Sequence, residues 1–90
     1  MRTEPNSRFN ERQAMAPRIY ASIVSAVRMG ILLEPFSRAD FEHACPGFGR
    51  GTYQAFLDKH RIGNNGDASE LFRRVSPGRF VCIRPFKYGF

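Results

Sequence analysis

The sequence lacks tryptophan, has only two cysteines in 90 residues and contains no apolar run near the ~20 residues that a membrane-spanning helix needs. The two cysteines, Cys45 and Cys82, lie far apart, and the first residues do not form the apolar stretch of a signal peptide. We therefore expect a cytoplasmic protein with reduced thiols and no membrane partner, with a single disulfide as the alternative. A chain of this length forms one domain, which leaves little room for a deep substrate cleft.

Acidic residues are absent from the end of the chain. Residues 71–90 contain five basic residues and no acid, and they hold +5 of the formal net charge of +6. A basic segment of this kind favours an anionic partner such as a nucleic acid. The alternative is a solvated surface whose charges keep an edge strand from pairing with another chain.

Signals of catalysis and of metal binding are also few. The side chains suited to zinc are His43, Cys45, His60 and Cys82. They form no Cys-x-x-Cys or His-x-x-x-His pair, so they do not indicate a metal site. The glycines of residues 47–51 are not followed by the Lys-Ser/Thr ending of a phosphate-binding loop. We expect no cofactor, no metal and no enzymatic activity.

The first part of the chain divides into a tail and a helix. Residues 1–15 are polar, mixed in charge and without apolar periodicity, which predicts a flexible N-terminal tail followed by a folded domain at residues 16–90. From Pro17, a suitable first helical residue, apolar side chains recur at spacings of one, three and four. This pattern predicts a first helix, which Gly30 ends with a left-handed cap.

Two shorter helices should follow. Residues 32–36 predict a short extended stretch, since a proline disfavours helix at the residue before it. Ser37 and the acid three residues later form a capping signature for a second helix that ends near Ala44. Thr52 is expected to cap a third helix that ends near Arg61. The apolar side of this helix comprises Tyr53, Phe56, Leu57 and His60.

The last element is a predicted β-hairpin. Residues 71–75 and 79–84 flank Ser76-Pro77-Gly78, in which proline presets φ and glycine permits the tight turn. Phe80 and Cys82 should face the core. The sequence therefore predicts a mainly α fold with a C-terminal β-hairpin.

Residues 36–41, 51–60 and 71–80 together resemble a winged helix-turn-helix. The wing pattern of HARE-type modules, and of winged helices found beside restriction enzymes, is similar to residues 70–80. The resemblance covers residues 17–86. It implies a three-helix winged helix-turn-helix with a binding role, often on DNA, and we expect it to act without an attached catalytic or regulatory domain.

In such a fold the third helix would enter the major groove, and the wing would lie along the DNA backbone or the minor groove. The candidate DNA contacts are Arg50, Thr52, Gln54, Lys59, Arg73, Arg74, Arg79 and Arg84. Gln54 is suited to adenine edges, whereas Asp58 would be repelled by phosphates. Arginine side chains are suited to phosphate oxygens. We therefore expect the hairpin to grip DNA more than the helix reads it.

The sequence favours a non-enzymatic DNA-binding protein, such as a small transcriptional regulator, that contacts the phosphate backbone of double-stranded DNA through a basic wing. It would then be associated with the nucleoid. The alternative is a protein–protein interaction winged helix that docks in a larger complex. Binding of RNA or single strands by arginines among phenylalanines is a third interpretation. The aromatic residues at 86, 88 and 90 are expected to pack on the first helix, with pairing to a second chain, and thus a homodimer, left open.

Overall fold

The computed structural model describes the backbone of residues 4–64 and 66–90 and the side chains of residues 16–64 and 66–90. Its elements, in chain order, are the helices α1 (Glu4–Arg28), α2 (Arg38–Ala44) and α3 (Arg50–Lys59) and the strands β1 (Phe72–Ser76) and β2 (Arg79–Cys82). Three helices followed by an antiparallel hairpin confirm the predicted mainly α, winged helix-turn-helix-like fold. We call the hairpin of β1 and β2 the wing.

Helix α1 begins at Glu4 and contains Pro17 in its interior, so the prediction that this helix starts at Pro17 is wrong. A proline removes one backbone hydrogen bond but leaves those of the turns on either side, so it need not mark a helix start. Of the predicted N-terminal tail, residues 1–3 and the side chains of residues 4–15 lie outside the described part of the chain. The end of α1 is as predicted, because Gly30 has a φ of +76°.

Helix α2 begins with the predicted capping box. The Ser37 side chain accepts a hydrogen bond from the Asp40 N–H at 3.1 Å, and the Asp40 carboxylate accepts one from the Ser37 N–H at 3.0 Å. The prediction that Thr52 caps α3 is wrong, since the N-cap residue is Gly49. The Gly49 carbonyl already accepts from the N–H of Thr52 at 3.0 Å, which places Thr52 inside the first turn.

The wing is joined to the rest of the fold by backbone pairing. Phe72 lies opposite Cys82 across the hairpin, and Gly78 in the connecting turn has a φ of +72°. On the other edge of β2, the N–H and the carbonyl of Phe80 pair with those of Phe36 at 2.8 Å each. The predicted extended stretch before α2 therefore meets the two-stranded sheet through an isolated antiparallel bridge at Phe36.

The core is built largely from aromatic rings of all the elements. The fully buried aromatic side chains are Tyr20, Phe36, Phe41, Phe72 and Phe80. Tyr20 on α1 meets the Phe72 ring edge-to-face, with 5.9 Å between centroids. As predicted, Phe80 and Cys82 face inward. Both cysteine thiols are free and buried, so the single disulfide that the sequence left open is not formed.

The aromatic residues after β2 pack on α1, as expected. The Lys87 N–H donates to the Tyr20 hydroxyl at 3.0 Å, and the Tyr88 ring lies 5.7 Å from the Tyr20 ring. The Phe86 ring lies under two guanidinium groups, those of Arg28 at 4.8 Å and Arg84 at 4.3 Å. This segment therefore closes the domain over α1.

Among the described side chains, His60 is a buried charged or polar residue of the core, with 5% of its surface exposed. Its Nδ1 lies 2.8 Å from the Ser69 carbonyl, and its ring lies 4.5 Å from the Phe56 ring. Burial lowers the pKa of His60, and the hydrogen bond to Ser69 opposes this shift only in part. The fold therefore favours the neutral imidazole.

We expect the free energy of unfolding to decrease as the pH falls from about 7.5 towards 5. The unfolded chain takes up a proton on His60 near pH 6.5, and the folded chain takes it up only at lower pH, so acid favours the unfolded chain in this window. Urea unfolding followed by circular dichroism measures the effect. The variant His60→Gln should lose this pH dependence, and His43→Gln, which changes an exposed histidine, should keep it. The reverse pattern would contradict the assignment.

Candidate nucleic-acid interface

Arg73 and Arg74 lie on the outer part of the wing. In β1 every residue after Phe72 is exposed, and the register sets Arg73 opposite Val81 and Arg74 opposite Phe80. Successive strand residues point to opposite faces, so the two arginines flank the edge of the wing rather than one face of it. Within the described side chains, neither guanidinium takes part in an ion pair or a hydrogen bond. Both are therefore available to an external anion.

Arg79 joins the wing to the start of α2. Its Nη1 lies 3.2 Å from the Asp40 Oδ2, and both side chains are about half exposed. The Ser37 N–H, with a smaller contribution from the Arg79 guanidinium, holds the pKa of Asp40 below its usual value. An exposed ion pair of this kind contributes about 0–1 kcal/mol, so a phosphate can compete for Arg79.

Arg84 is held by the fold itself. Its Nη2 donates to Glu34 Oε1 at 2.7 Å, and its Nη1 donates to Glu34 Oε2 at 3.1 Å and to the Cys82 carbonyl at 2.8 Å. The Cys82 N–H also donates to Glu34 at 2.7 Å. Burial alone would raise the pKa of Glu34, but these hydrogen bonds outweigh it and lower that pKa. Arg84 thus faces Glu34, in contrast to Arg73 and Arg74.

Helix α3 presents the other candidate contacts. Arg50, Gln54 and Lys59 are exposed, and Thr52 is half-buried. Thr52 and Lys59 line a groove between α3 and the Ala16 and Ile19 side chains of α1. The four candidate residues therefore do not form one stripe. Arg50 and Gln54, one helical turn apart, lie on the side nearer α2, together with Asp58.

Two arginines that the sequence pattern did not single out flank α3. Arg38, at the start of α2, has its Nη2 3.6 Å from Asp58 Oδ2, and Arg61 has its Nε 3.4 Å from Asp58 Oδ1. The pair of Asp58 and Arg61 has the spacing of three that brings side chains together on a helical turn. Arg38 gave no such signal, because it reaches Asp58 only through the packing of α2 on α3. The acid that was expected to repel phosphates is therefore flanked by two cations.

The thiols of Cys45 and Cys82 are buried in the core. Burial raises the pKa of the Cys82 thiol to about 12, and it also raises the pKa of the Cys45 thiol. Among the side chains that the structure describes, no three histidines, cysteines or acids lie close enough together to hold a metal ion. Likewise, no helix in the described residues is long and apolar enough to cross a membrane.

The different surroundings of the wing arginines predict different effects on stability. Arg84→Ala removes both bonds to the half-buried Glu34 carboxylate, so we expect it to lower the free energy of unfolding by about 1–2 kcal/mol. Arg73→Ala, the matched control on the exposed edge, should change it by less than about 0.5 kcal/mol. Urea unfolding at neutral pH compares the two variants. Equal decreases in the free energy of unfolding would show that the bonds of Arg84 to Glu34 do not stabilise the fold.

Comparison of the chain with family models, with curated proteins and with solved structures finds no match. The likeness of residues 70–80 to the wing of HARE-type modules accordingly stays a prediction.

Proposed function

We propose that this chain is a non-enzymatic DNA-binding protein that holds the phosphate backbone of duplex DNA through the edge of its wing. The observation that carries the proposal is the exposure of Arg73 and Arg74 on β1. No acidic residue occurs within residues 71–90 to neutralise them. Guanidinium groups pair with phosphate oxygens in a bidentate manner, and each such contact releases counterions from DNA.

The position of β1 in the sheet supports contact through its edge. Phe36 pairs with the inner edge of β2, so the outer edge of the sheet is β1 from Arg73 to Ser76. Arg73 and Arg74 diverge from this edge to opposite sides, an arrangement suited to two phosphates along one strand of DNA. Arg79 adds a third contact where phosphate displaces Asp40, and Arg84 contributes least because Glu34 already neutralises its charge.

Helix α3 is the part of the protein proposed to enter the major groove. Arg50 in its first turn would contact a backbone phosphate, and Gln54 one turn later has an amide group that could pair with adenine edges. Thr52 and Lys59 border the groove towards α1 and would contact the opposite backbone. This division, with positioning by the wing and base contact by the helix, is the one expected of a small transcriptional regulator.

A second candidate function is binding of a protein partner within a larger complex. It is favoured by three apolar side chains in the loop after α1, since Met29, Ile31 and Leu33 are 69%, 57% and 73% exposed. Exposed apolar side chains that form a patch are typical of protein-binding surfaces, and Met29 and Ile31 line one shallow pocket. In this case the wing arginines serve to keep the edge of β1 solvated.

A salt-dependent titration of duplex DNA separates the two functions. We expect the variant Arg73→Ala/Arg74→Ala to bind more weakly than the wild type and to lower the steepness of the logarithmic salt dependence by about 2, because each lost phosphate contact changes the slope by about 0.9. Fluorescence anisotropy of a labelled duplex between about 50 and 200 mM salt measures both quantities.

The matched control is Arg18→Ala/Lys87→Ala, which removes two charges from exposed positions on α1 and on the C-terminal segment. It should lower the affinity less and leave the slope near that of the wild type. If the wing variant and this control behave alike, the wing is not the contact. If the wild type binds no duplex, the protein-binding function is favoured instead.

A further inference from the structure

We infer that Asp58 is a positioning residue that withholds Arg38 and Arg61 from the DNA backbone and so limits the affinity of α3 for duplexes of any sequence. The inference rests on the proposed function, and it concerns a part of the surface other than the wing. It assigns to Asp58, Arg38 and Arg61, which we call the Asp58 clasp, a role in setting affinity.

Asp58 lies on the stripe of α3 that we propose faces DNA. Arg50, Gln54 and Asp58 follow one another at intervals of four residues, which aligns them along one side of the helix. Asp58 is at the C-terminal end of this stripe. Arg38 approaches its carboxylate from α2, and Arg61 approaches it from the turn after α3. Any backbone that follows the stripe therefore passes both guanidinium groups.

The two ion pairs are long and solvated. Their N–O distances are 3.6 and 3.4 Å, and the three side chains are between 29% and 54% exposed. Exposed pairs contribute about 0–1 kcal/mol each, because water screens the attraction and the long side chains lose freedom. Asp58 therefore pairs with both arginines only weakly. A phosphate must displace the Asp58 carboxylate before the phosphate can contact either guanidinium group.

The Asp58 carboxylate has no other described partner that holds the fold together. The hydrogen bond from the Asn64 amide goes to the Asp58 backbone carbonyl at 2.9 Å, not to the side chain. The side chain caps no helix, in contrast to that of Asp40. Replacement by asparagine thus removes the charge, keeps the shape and leaves the backbone bonds of this turn in place.

The experiment measures binding of a labelled duplex of mixed sequence to Asp58→Asn. We expect affinity to rise about three- to tenfold at low salt, as two exposed ion pairs cease to compete, and the salt dependence to steepen by up to about 2. The matched control is Asp67→Asn, which makes the same charge change at an exposed acid in the loop after α3. It should raise affinity by less than twofold and leave the slope unchanged. Asp58→Glu should behave like the wild type.

Two further measurements separate the release of Arg38 and Arg61 from a general effect of net charge. In the background Arg38→Ala/Arg61→Ala, Asp58→Asn should no longer raise affinity, because no arginine is left to release. On a heparin column, which presents a dense anion without DNA structure, Asp58→Asn should elute at higher salt than Asp67→Asn.

The outcomes distinguish the two proposals. Equal behaviour of Asp58→Asn and Asp67→Asn on both DNA and heparin overturns the inference, since only net charge then matters. Weaker DNA binding by Asp58→Asn also overturns it, because Asp58 would then be a contact in its own right. If Asp58→Asn and Asp67→Asn still differ on heparin but the wild type binds no duplex, the inference about the clasp is supported. The proposed DNA-binding function is then wrong.

Discussion

The wing depends on backbone pairing at both of its edges. An isolated two-stranded hairpin is only marginally stable in water, so the position of every wing residue relies on what holds β1 and β2. Phe36 pairs with β2 through two hydrogen bonds of 2.8 Å, and the first residue of β1 pairs with the turn after α3 through the bond from the Ile62 N–H to the Phe72 carbonyl at 2.9 Å. The buried rings of Phe72 and Phe80 add apolar burial to these bonds. Because the pairing at β1 stops near Phe72, the rest of that strand is left as an exposed edge.

This constraint separates two kinds of arginine among the described residues 71–90. Those close to the paired and buried part of the sheet find partners in the chain, as Arg84 does in Glu34 and the Cys82 carbonyl. Those on the exposed edge, Arg73 and Arg74, find none among the described side chains. The same exposure serves both functions considered for them, since a solvated cationic edge resists pairing with another strand and also attracts phosphates. Protection of the edge and binding of an anion are thus compatible consequences of one arrangement.

The features that the sequence predicted well are those with short-range causes. The Ser37 capping box depends on two side chains three residues apart, and this spacing is visible in the sequence. The start of α3 was misplaced because its N-cap, Gly49, has no side chain that caps. The start of α1 was misplaced because residues 4–15 have no apolar period. The ion pair of Arg79 with Asp40 joins residues 39 apart in sequence, and only the folded chain brings them together. Hence the hairpin could be predicted from the sequence, whereas the ion pairs that the arginines form in the folded chain could not.

The carboxylates of the protein determine how much each arginine can add to the binding of an anion. An arginine without a partner gains the whole of a phosphate contact, whereas Arg79 must exchange Asp40 for it and gains only the difference. Arg38 and Arg61 share a single acid, so displacing Asp58 frees two cations at once. Arg84 would have to leave the Glu34 carboxylate, which is only 20% exposed. Its departure would leave a largely desolvated negative charge without a partner, which favours the existing pair. The strength of the competing internal pair therefore ranks the cations of this surface better than net charge does: the wing edge comes first, the exposed pairs next and the half-buried pair last.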